Sequence, residues 1–381
     1  MRFDRGEFAG AVADLGVLVP IAVALIVSNG LSATAVLLPA GLLYIAAGLI
    51  YRLPVPVQPL KAFGAIAIAQ GLGSNEIAAG ALLMGAIFLI LGFSGLLNRV
   101  AAFFPKPIIR GVQLSVGLLF LSLAWKLIMT PPAAFADHAQ PTWLLAAGGI
   151  AVVFAAFLLP RQLVAFALMA ITVAAIAFTF HGTFELGPAS MPLPELSAGA
   201  FAAAAVALVL PQLPLTFANS CLATADAAKT YFGTKGDRVT PGRLAMSLGT
   251  ANLFAGAIGG MPVCHGAGGL TAHFSFGARS GGTPIILGMV LLVLAVGFGA
   301  SLAALLASFP LAVLSGLLAV AGILHVGLLK DLAHPAHWAL AIGVGVAGFI
   351  GNLALALVAG LLIWWGADVF LRQRSADHGP D

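Results

Sequence analysis

Leu53-Pro54-Val55-Pro56-Val57-Gln58-Pro59, followed by Leu60-Lys61-Ala62, decides how this chain is built. Three prolines at this spacing cannot continue a helix, because each lacks an amide hydrogen and biases the residue before it toward extended backbone. The stretch therefore predicts a strand. Pro59 suits the first turn of a helix, and residues 60–72 then form one of about 20 Å, too short to cross a bilayer alone. Met261-Pro262-Val263-Cys264-His265-Gly266-Ala267-Gly268-Gly269 repeats the design. It predicts extended backbone through Cys264 and a helix starting near His265. Each break leaves four helix N-terminal amides without an intrahelical partner.

The rest of the chain supplies a membrane around these breaks. Of 381 residues, 61% are hydrophobic and 8% charged, with a mean hydropathy of +1.08. Soluble domains carry about a quarter of charged residues, so the bilayer is the solvent here. Unpaired backbone groups in hydrocarbon cost several kcal/mol each, and a broken helix persists only where protein or a wet cavity satisfies it. The breaks mark a site.

Apolar runs punctuated by Gly, Pro and charge place segments at 8–27, 31–50, 53–72, 77–97, 107–129, 142–160 and 162–180. A second set falls at 200–226, 240–259, 261–276, 283–300, 310–329, 337–351 and 353–370. Arg2, Asp4, Arg5 and Glu7 precede an apolar run with no cleavage signature, so that run is expected to be the first span. With a cytoplasmic N-terminus, all 17 basic residues lie on the inside except Lys126, on the outside, and Lys61, within a span. This bias predicts an even number of crossings and both termini in the cytoplasm, in the cell (inner) membrane. The pI near 9.3 thus reflects orientation and not nucleic-acid binding. Trp125, Trp143, Trp338, Trp364 and Trp365 fall near span ends, as interfacial aromatics do. Cys221 and Cys264 sit inside spans, where a disulfide framework or four-ligand metal site is not expected.

Two motifs recur at one spacing. Phe104-Pro105 through Gly111 is echoed by Phe309-Pro310 through Gly316, 205 residues on, and Pro56-Val57-Gln58-Pro59 by Pro262-Val263-Cys264-His265, 206 residues on. Seven spans per half make the second copy enter from the opposite side, the inverted repeat of secondary transporters. The expected fold is an all-α polytopic membrane protein of about 14 segments in two inverted repeats, with short extended stretches in segments three and ten. The expected units are a first repeat at 1–180, an outer linker at 181–198, a second repeat at 199–371 and a cytoplasmic tail at 372–381.

Two half-helix N-termini meeting near the midplane contribute about half a positive charge each, and Lys61 adds about one more. The sum suits a tetrahedral dianion held by backbone amides, with glycines allowing close approach. The alternative for the run at 266–269 is tight helix packing. A lysine at membrane depth is costly and usually functional; Lys61 either contacts substrate or pairs with Asp14. Asp14 has three open roles: that pair, a coupling proton, or a hydrogen bond to a helix end. Gln212, Thr216 and Asn219 fall on one helical face, with Ser220 beside them, either lining a cavity or bonding helix to helix. His265, at the start of the second short helix, can bind substrate, titrate or cap. His273 does not share its face and reads as structural. No nucleophile with a matched base appears.

At these residues the sequence resembles the molybdate transporter family, relatives of the sulfate permease and nucleobase transporters. The matches are Ala13-Asp14-Leu15-Gly16 with Pro20, Pro56 through Ala62, Gln212-Leu213-Pro214-Leu215-Thr216 with Asn219-Ser220, and Met261 through Leu270 with Phe276-Gly277-Ala278-Arg279. The resemblance covers nearly the whole chain. It implies a core of segments one to four and eight to eleven, a gate of the remainder, and substrate held between segments three and ten.

The expected function is secondary active transport of a tetrahedral oxyanion, molybdate before sulfate or tungstate. The expected binding residues are Gln58, Lys61, Gln212, Thr216, Asn219, Ser220, His265, Gly266 and Gly268, with Asp14 as coupling group or ion-pair partner. No cofactor, metal or nucleic acid is expected, and a homodimer is allowed. A proton-linked nucleobase carrier of the same fold would need carboxylates in segments eight and ten, and none precedes Asp226. An intramembrane enzyme or receptor would need a metal cluster or catalytic pair in the spans.

Overall fold

The prolines that forbid helix at 53–59 do produce a strand, and it finds its partner 206 residues away. In the computed structural model, which describes residues 1–13, 15–133, 135, 140–181 and 183–377, β1 (Gln58–Pro59) pairs antiparallel with β2 (Val263–Cys264). Gln58 stands opposite Cys264 and Pro59 opposite Val263. Asp14 lies outside the described residues, as do 378–381 of the expected tail.

Every other regular element among the described residues is helical. Before β1 come α1 (Arg5–Ala13), α2 (Leu15–Val27) and α3 (Ala33–Tyr51). Between the strands run α4 (Lys61–Gln70), α5 (Ser74–Ser94), α6 (Leu97–Ala101), α7 (Lys106–Met129), α8 (Thr142–Leu158) and α9 (Arg161–Thr179). There follow α10 (Ala198–Ala204), α11 (Leu210–Leu215), α12 (Thr224–Phe232) and α13 (Pro241–Ala257). After β2 come α14 (Ala267–Ser275), α15 (Gly282–Leu292), α16 (Gly299–Ala307), α17 (Leu311–Val326), α18 (Pro335–Ile350) and α19 (Leu353–Asp377). Wider π-helical turns at Ala205–Val209 and Thr216–Ala223 join α10, α11 and α12 into one continuous helical rod.

Among the described residues, six helices are long and apolar enough to cross a membrane, and a pair bent by 99° at 298 makes a seventh candidate. Four shorter apolar helices of 10–17 residues, among them Thr142–Leu158 and Pro335–Ile350, accompany them. The chain is therefore a mostly helical, polytopic integral membrane protein. Many large apolar side chains, such as Phe93, Trp143 and Phe178, are exposed, which suits contact with lipid and in water would be an aggregation hazard. The core instead buries Tyr44, Phe63, Phe88, Phe120 and Phe217.

Small residues set the helix contacts, as they must where lipid removes the hydrophobic drive between helices. α7 and α17 begin alike, after Pro105 and Pro310 in extended backbone, and pack together. Gly117 and Gly322, again 205 residues apart, meet there backbone to backbone: a Cβ on either would lie 2.9 Å or 2.8 Å from the other's carbonyl oxygen.

Glu7, on α1, is 1% exposed and clamps the start of α15. Its carboxylate accepts from the amides of Arg279 and Thr283, both at 3.0 Å, and from the Thr283 hydroxyl at 2.6 Å. Such an acceptor at a helix N-terminus satisfies orphan amides and complements the dipole.

Candidate functional site

The antiparallel crossing of β1 and β2 brings together the starts of α4 and α14. The Leu60 amide donates to Pro262 O at 3.2 Å, and β2 is held from outside by Asn252 of α13. The Asn252 side chain is fully buried, donates to Val263 O at 2.9 Å and accepts from Val263 N at 2.7 Å. One amide thus replaces the ladder partners that a two-residue strand lacks.

Lys61 occupies the first turn of α4, half-buried. Its Nζ donates to Gln58 Oε1 at 2.9 Å. The Gln58 side chain in turn lies over α14: a Cβ on Gly266 would come within 2.9 Å of Gln58 Oε1, and one on Gly269 within 2.7 Å of its Nε2. The Asn219 amide closes on the same spot, 3.5 Å from a Cβ placed on Gly266. Gly268 is exposed with nothing within 4 Å of an added Cβ. No side chain caps α14. Lys61, Gln58, Asn219 and Gly266 are therefore brought together, whereas a Cβ on Gly268, in the first turn of α14, meets none of them.

The other expected residues hold the surroundings. Gln212 is 2% exposed; its Oε1 accepts from the Phe63 amide in the first turn of α4 at 3.0 Å, and its Nε2 donates to Thr216 Oγ1 at 3.0 Å. Thr216 is fully buried and donates to Gln212 O at 3.1 Å. Of the four amides expected to be free at the start of α4, two are thus satisfied within the protein, Leu60 N by Pro262 O and Phe63 N by Gln212 Oε1. The π-helical turn starting at Thr216 alters the simple helical face on which Asn219 was placed; such turns are frequent at functional positions. Ser220 is 1% exposed on that turn.

His265 is wholly buried. Its Nδ1 lies 2.8 Å from Pro56 O and its Nε2 2.8 Å from Ser247 Oγ. A carbonyl only accepts, so Nδ1 carries the proton. Ser247 also meets the Tyr51 hydroxyl at 2.8 Å, and Tyr51 donates to Arg243 O at 3.0 Å. Both ring nitrogens are engaged by the protein, and direct contact with a substrate would require one to be released. His273 makes a parallel contact, Nδ1 to Pro54 O at 2.8 Å. Two histidines from α14 and its approach thus tie down two proline carbonyls that the break around β1 leaves unpaired. Cys221 and Cys264 are buried and not joined in a disulfide, and among the described residues no three of His, Cys, Asp and Glu converge as metal ligands.

Glu7, Ser247, Tyr51 and Asn252 were not singled out by their sequence surroundings. A buried Asn between two apolar neighbours, as in Ala251-Asn252-Leu253, was the available signal for one of them.

A lysine ammonium beside the starts of two short helices is chemistry for an anion. Comparison with known proteins points the same way. The family described as molybdate transporters of the MFS superfamily matches residues 6–120 and 204–324, stretches that carry β1 with α4 and β2 with α14. Molybdate transporter 2 of Arabidopsis thaliana is 30% identical over 83% of this chain and 77% of its own length. Molybdate transporter 1 of the same plant is 29% identical over 95% of this chain and 88% of its own. Among solved structures, the transmembrane domain of the cyanobacterial bicarbonate transporter BicA superposes with a TM-score of 0.65 at 19% identity, covering 94% of this chain and 98% of that one. Murine Slc26a9, an anion transporter, gives 0.68 at 16% identity over 96% of this chain and 68% of that one. The structural likeness fixes a fold shared with BicA and SLC26A9, and the sequence match fixes the rest: the chain belongs to the molybdate transporter family, a family of transporters and not of enzymes.

Proposed function

We propose that this protein is a secondary active transporter of a tetrahedral oxyanion, molybdate, bound between the starts of α4 and α14 and exposed alternately to the two sides. The observation that carries the reading is the Lys61 ammonium, 2.9 Å from Gln58 Oε1, beside an α14 N-terminus with no side-chain cap. Lys61, Gln58, Asn219, Gly266 and Gly268 bind the anion. Gln212, Thr216, Ser220 and His265 fix the backbone that presents its amides. Asp14 is the candidate coupling or ion-pair group.

In this reading the chain forms two inverted seven-segment repeats, 1–180 and 199–371, joined by an outer linker at 181–198 and followed by a cytoplasmic tail at 372–381. Support comes from the pairing of Gln58 with Cys264 and the mutual approach of Gly117 and Gly322, since contacts between residues at one fixed offset are what a pseudo-twofold axis produces. Segments one to four and eight to eleven form the core, and the others form the gate against which it rocks. Both termini face the cytoplasmic side of the cell's inner membrane, a reading supported by the bias of the basic residues.

The test is molybdate uptake into proteoliposomes, with sulfate as competitor and with or without a pH gradient. Uptake is expected in the parent and absent in Lys61→Ala, with unchanged thermal unfolding. Normal uptake by that variant removes Lys61 from the site. Failure of the parent with every oxyanion overturns the cargo.

A further inference from the structure

An apolar groove lies against the helical rod that carries Gln212, Leu213 and Phe217. It measures 640 Å³ and is walled by Ile87 and Leu91 of α5, Arg99 of α6, Phe103 of the α6–α7 link, and Leu213 and Phe217 of the α11 rod. Its walls are aliphatic and aromatic, with Arg99 the only charged residue among them. Phe217 forms the floor, stacked on Phe104 with ring centroids 5.7 Å apart and tilted against Phe88 at 4.9 Å. Ile90 and Phe103, at the mouth, are 65% and 50% exposed, so the groove opens toward the surroundings of the helices, which are lipid.

The mouth has a polar edge. Arg99 is exposed and forms none of the ion pairs found among the described residues. Close by, Trp365 of α19 stacks on Phe103 at 5.9 Å and donates from Nε1 to Phe103 O at 3.2 Å, the amphipathic pose of an aromatic at headgroup level. A free anion would gain nothing from the apolar walls, and a hydrocarbon would leave the guanidinium unmatched. An acyl chain with an anionic head matches both.

We propose that this groove binds one acyl chain of an anionic phospholipid, with Arg99 on its phosphate. The lipid then touches the transport machinery from behind. Leu213 and Phe217 each follow a residue of the pair whose side chains meet at 3.0 Å, Gln212 and Thr216, and Gln212 holds the Phe63 amide of α4. A chain seated against Leu213 and Phe217 steadies the junction of α11 with the following π-helical turn, across which that pair is bonded.

The experiment reads lipid contact directly and does not depend on the cargo. Trp365 is kept as the sole tryptophan, with Trp125, Trp143, Trp338 and Trp364 replaced by Phe. The protein is placed in vesicles with rising fractions of brominated phosphatidylglycerol or brominated phosphatidylcholine. Quenching of Trp365 should show a preference for phosphatidylglycerol of about fivefold, the factor that one basic residue contributes near a charged membrane surface. Arg99→Lys should keep the preference, and Arg99→Gln should reduce it to about one. Equal quenching by both lipids would mean ordinary annular contact and overturn the site. A preference that survives Arg99→Gln would place the anion elsewhere and overturn it too. Should the single-tryptophan chain not fold, native mass spectrometry of the parent and Arg99→Gln decides: one retained phosphatidylglycerol in the parent only supports the site, and the same lipid in both overturns it.

Discussion

Lys61 Nζ donates a hydrogen bond of 2.9 Å to Gln58 Oε1, three residues earlier, across the junction of strand and helix. A neutral amide there orients the ammonium without cancelling its charge. Gln58→Glu is nearly isosteric but puts a carboxylate in that position. Two opposite charges about 4 Å apart attract by roughly 4 kcal/mol at an effective dielectric constant of 20, while about 1.4 kcal/mol already changes an affinity tenfold. Molybdate uptake by this variant should fall at least tenfold, with thermal stability kept. Unchanged uptake would falsify a charge-based role for Lys61.

The glycines of α14 separate binding from packing. A Cβ at Gly269 would approach both Gln58 Nε2 and Pro56 Cβ to 2.7 Å, so Gly269→Ala should lose about 1–3 kcal/mol of stability through overpacking. Gly268 has open space around it. Gly268→Ala should unfold like the parent, yet weaken uptake if, as proposed, the amides beside it receive the anion. Unfolding curves and substrate KM, measured together, distinguish the two; equal behaviour of both variants would show that Gly268 does not face substrate.

Asn252 is the outer clamp on β2, through two hydrogen bonds to Val263. Asn252→Ala leaves a buried amide and a buried carbonyl without this partner, at about 1–3 kcal/mol each. Asn252→Asp keeps the acceptor for Val263 N but loses the donor to Val263 O, and should fall between. A thermal shift series of the parent, the Asp variant and the Ala variant checks the order.

Past the span expected at 310–329, Asp331 accepts from Arg110 through both carboxylate oxygens and lies 3.1 Å from Lys106 Nζ. The Arg110 guanidinium, aided by Lys106, holds its carboxyl down to about 2 from an ordinary 3.8. Because the folded value is the lower one, the stabilisation is complete above about pH 4 and fades as pH falls toward 2. Asp331 is 41% exposed at its side chain, so the whole contribution stays within about 1 kcal/mol. Asp331→Asn should unfold slightly earlier than the parent at pH 7, with the gap closing at pH 3 and in high salt. A gap that widens on acidification would overturn the assignment.

The helical membrane class was legible because composition and charge bias are summed over the whole chain and do not depend on contacts. The breaks were legible at Pro54, Pro56, Pro59 and Pro262, since a missing amide hydrogen acts locally whatever the surroundings. Lys61 stood out for the same reason: a charge amid apolar residues is costly in any fold. The seven-plus-seven count is less sharply drawn in the helices themselves, because several segments are short or bent and length alone does not set a crossing.

What the sequence determined by itself was local: where the chain cannot be helical, where it must meet lipid, and which charge stands at the break. Tertiary structure decided which group answers which. Gln212 caps Phe63 across 149 residues, His265 reaches Pro56 O across 209, and Glu7 holds Thr283 across 276. Such pairings leave no periodic trace. They are chosen by packing, because in hydrocarbon each backbone group freed by a proline must find its partner in whatever helix lies nearest.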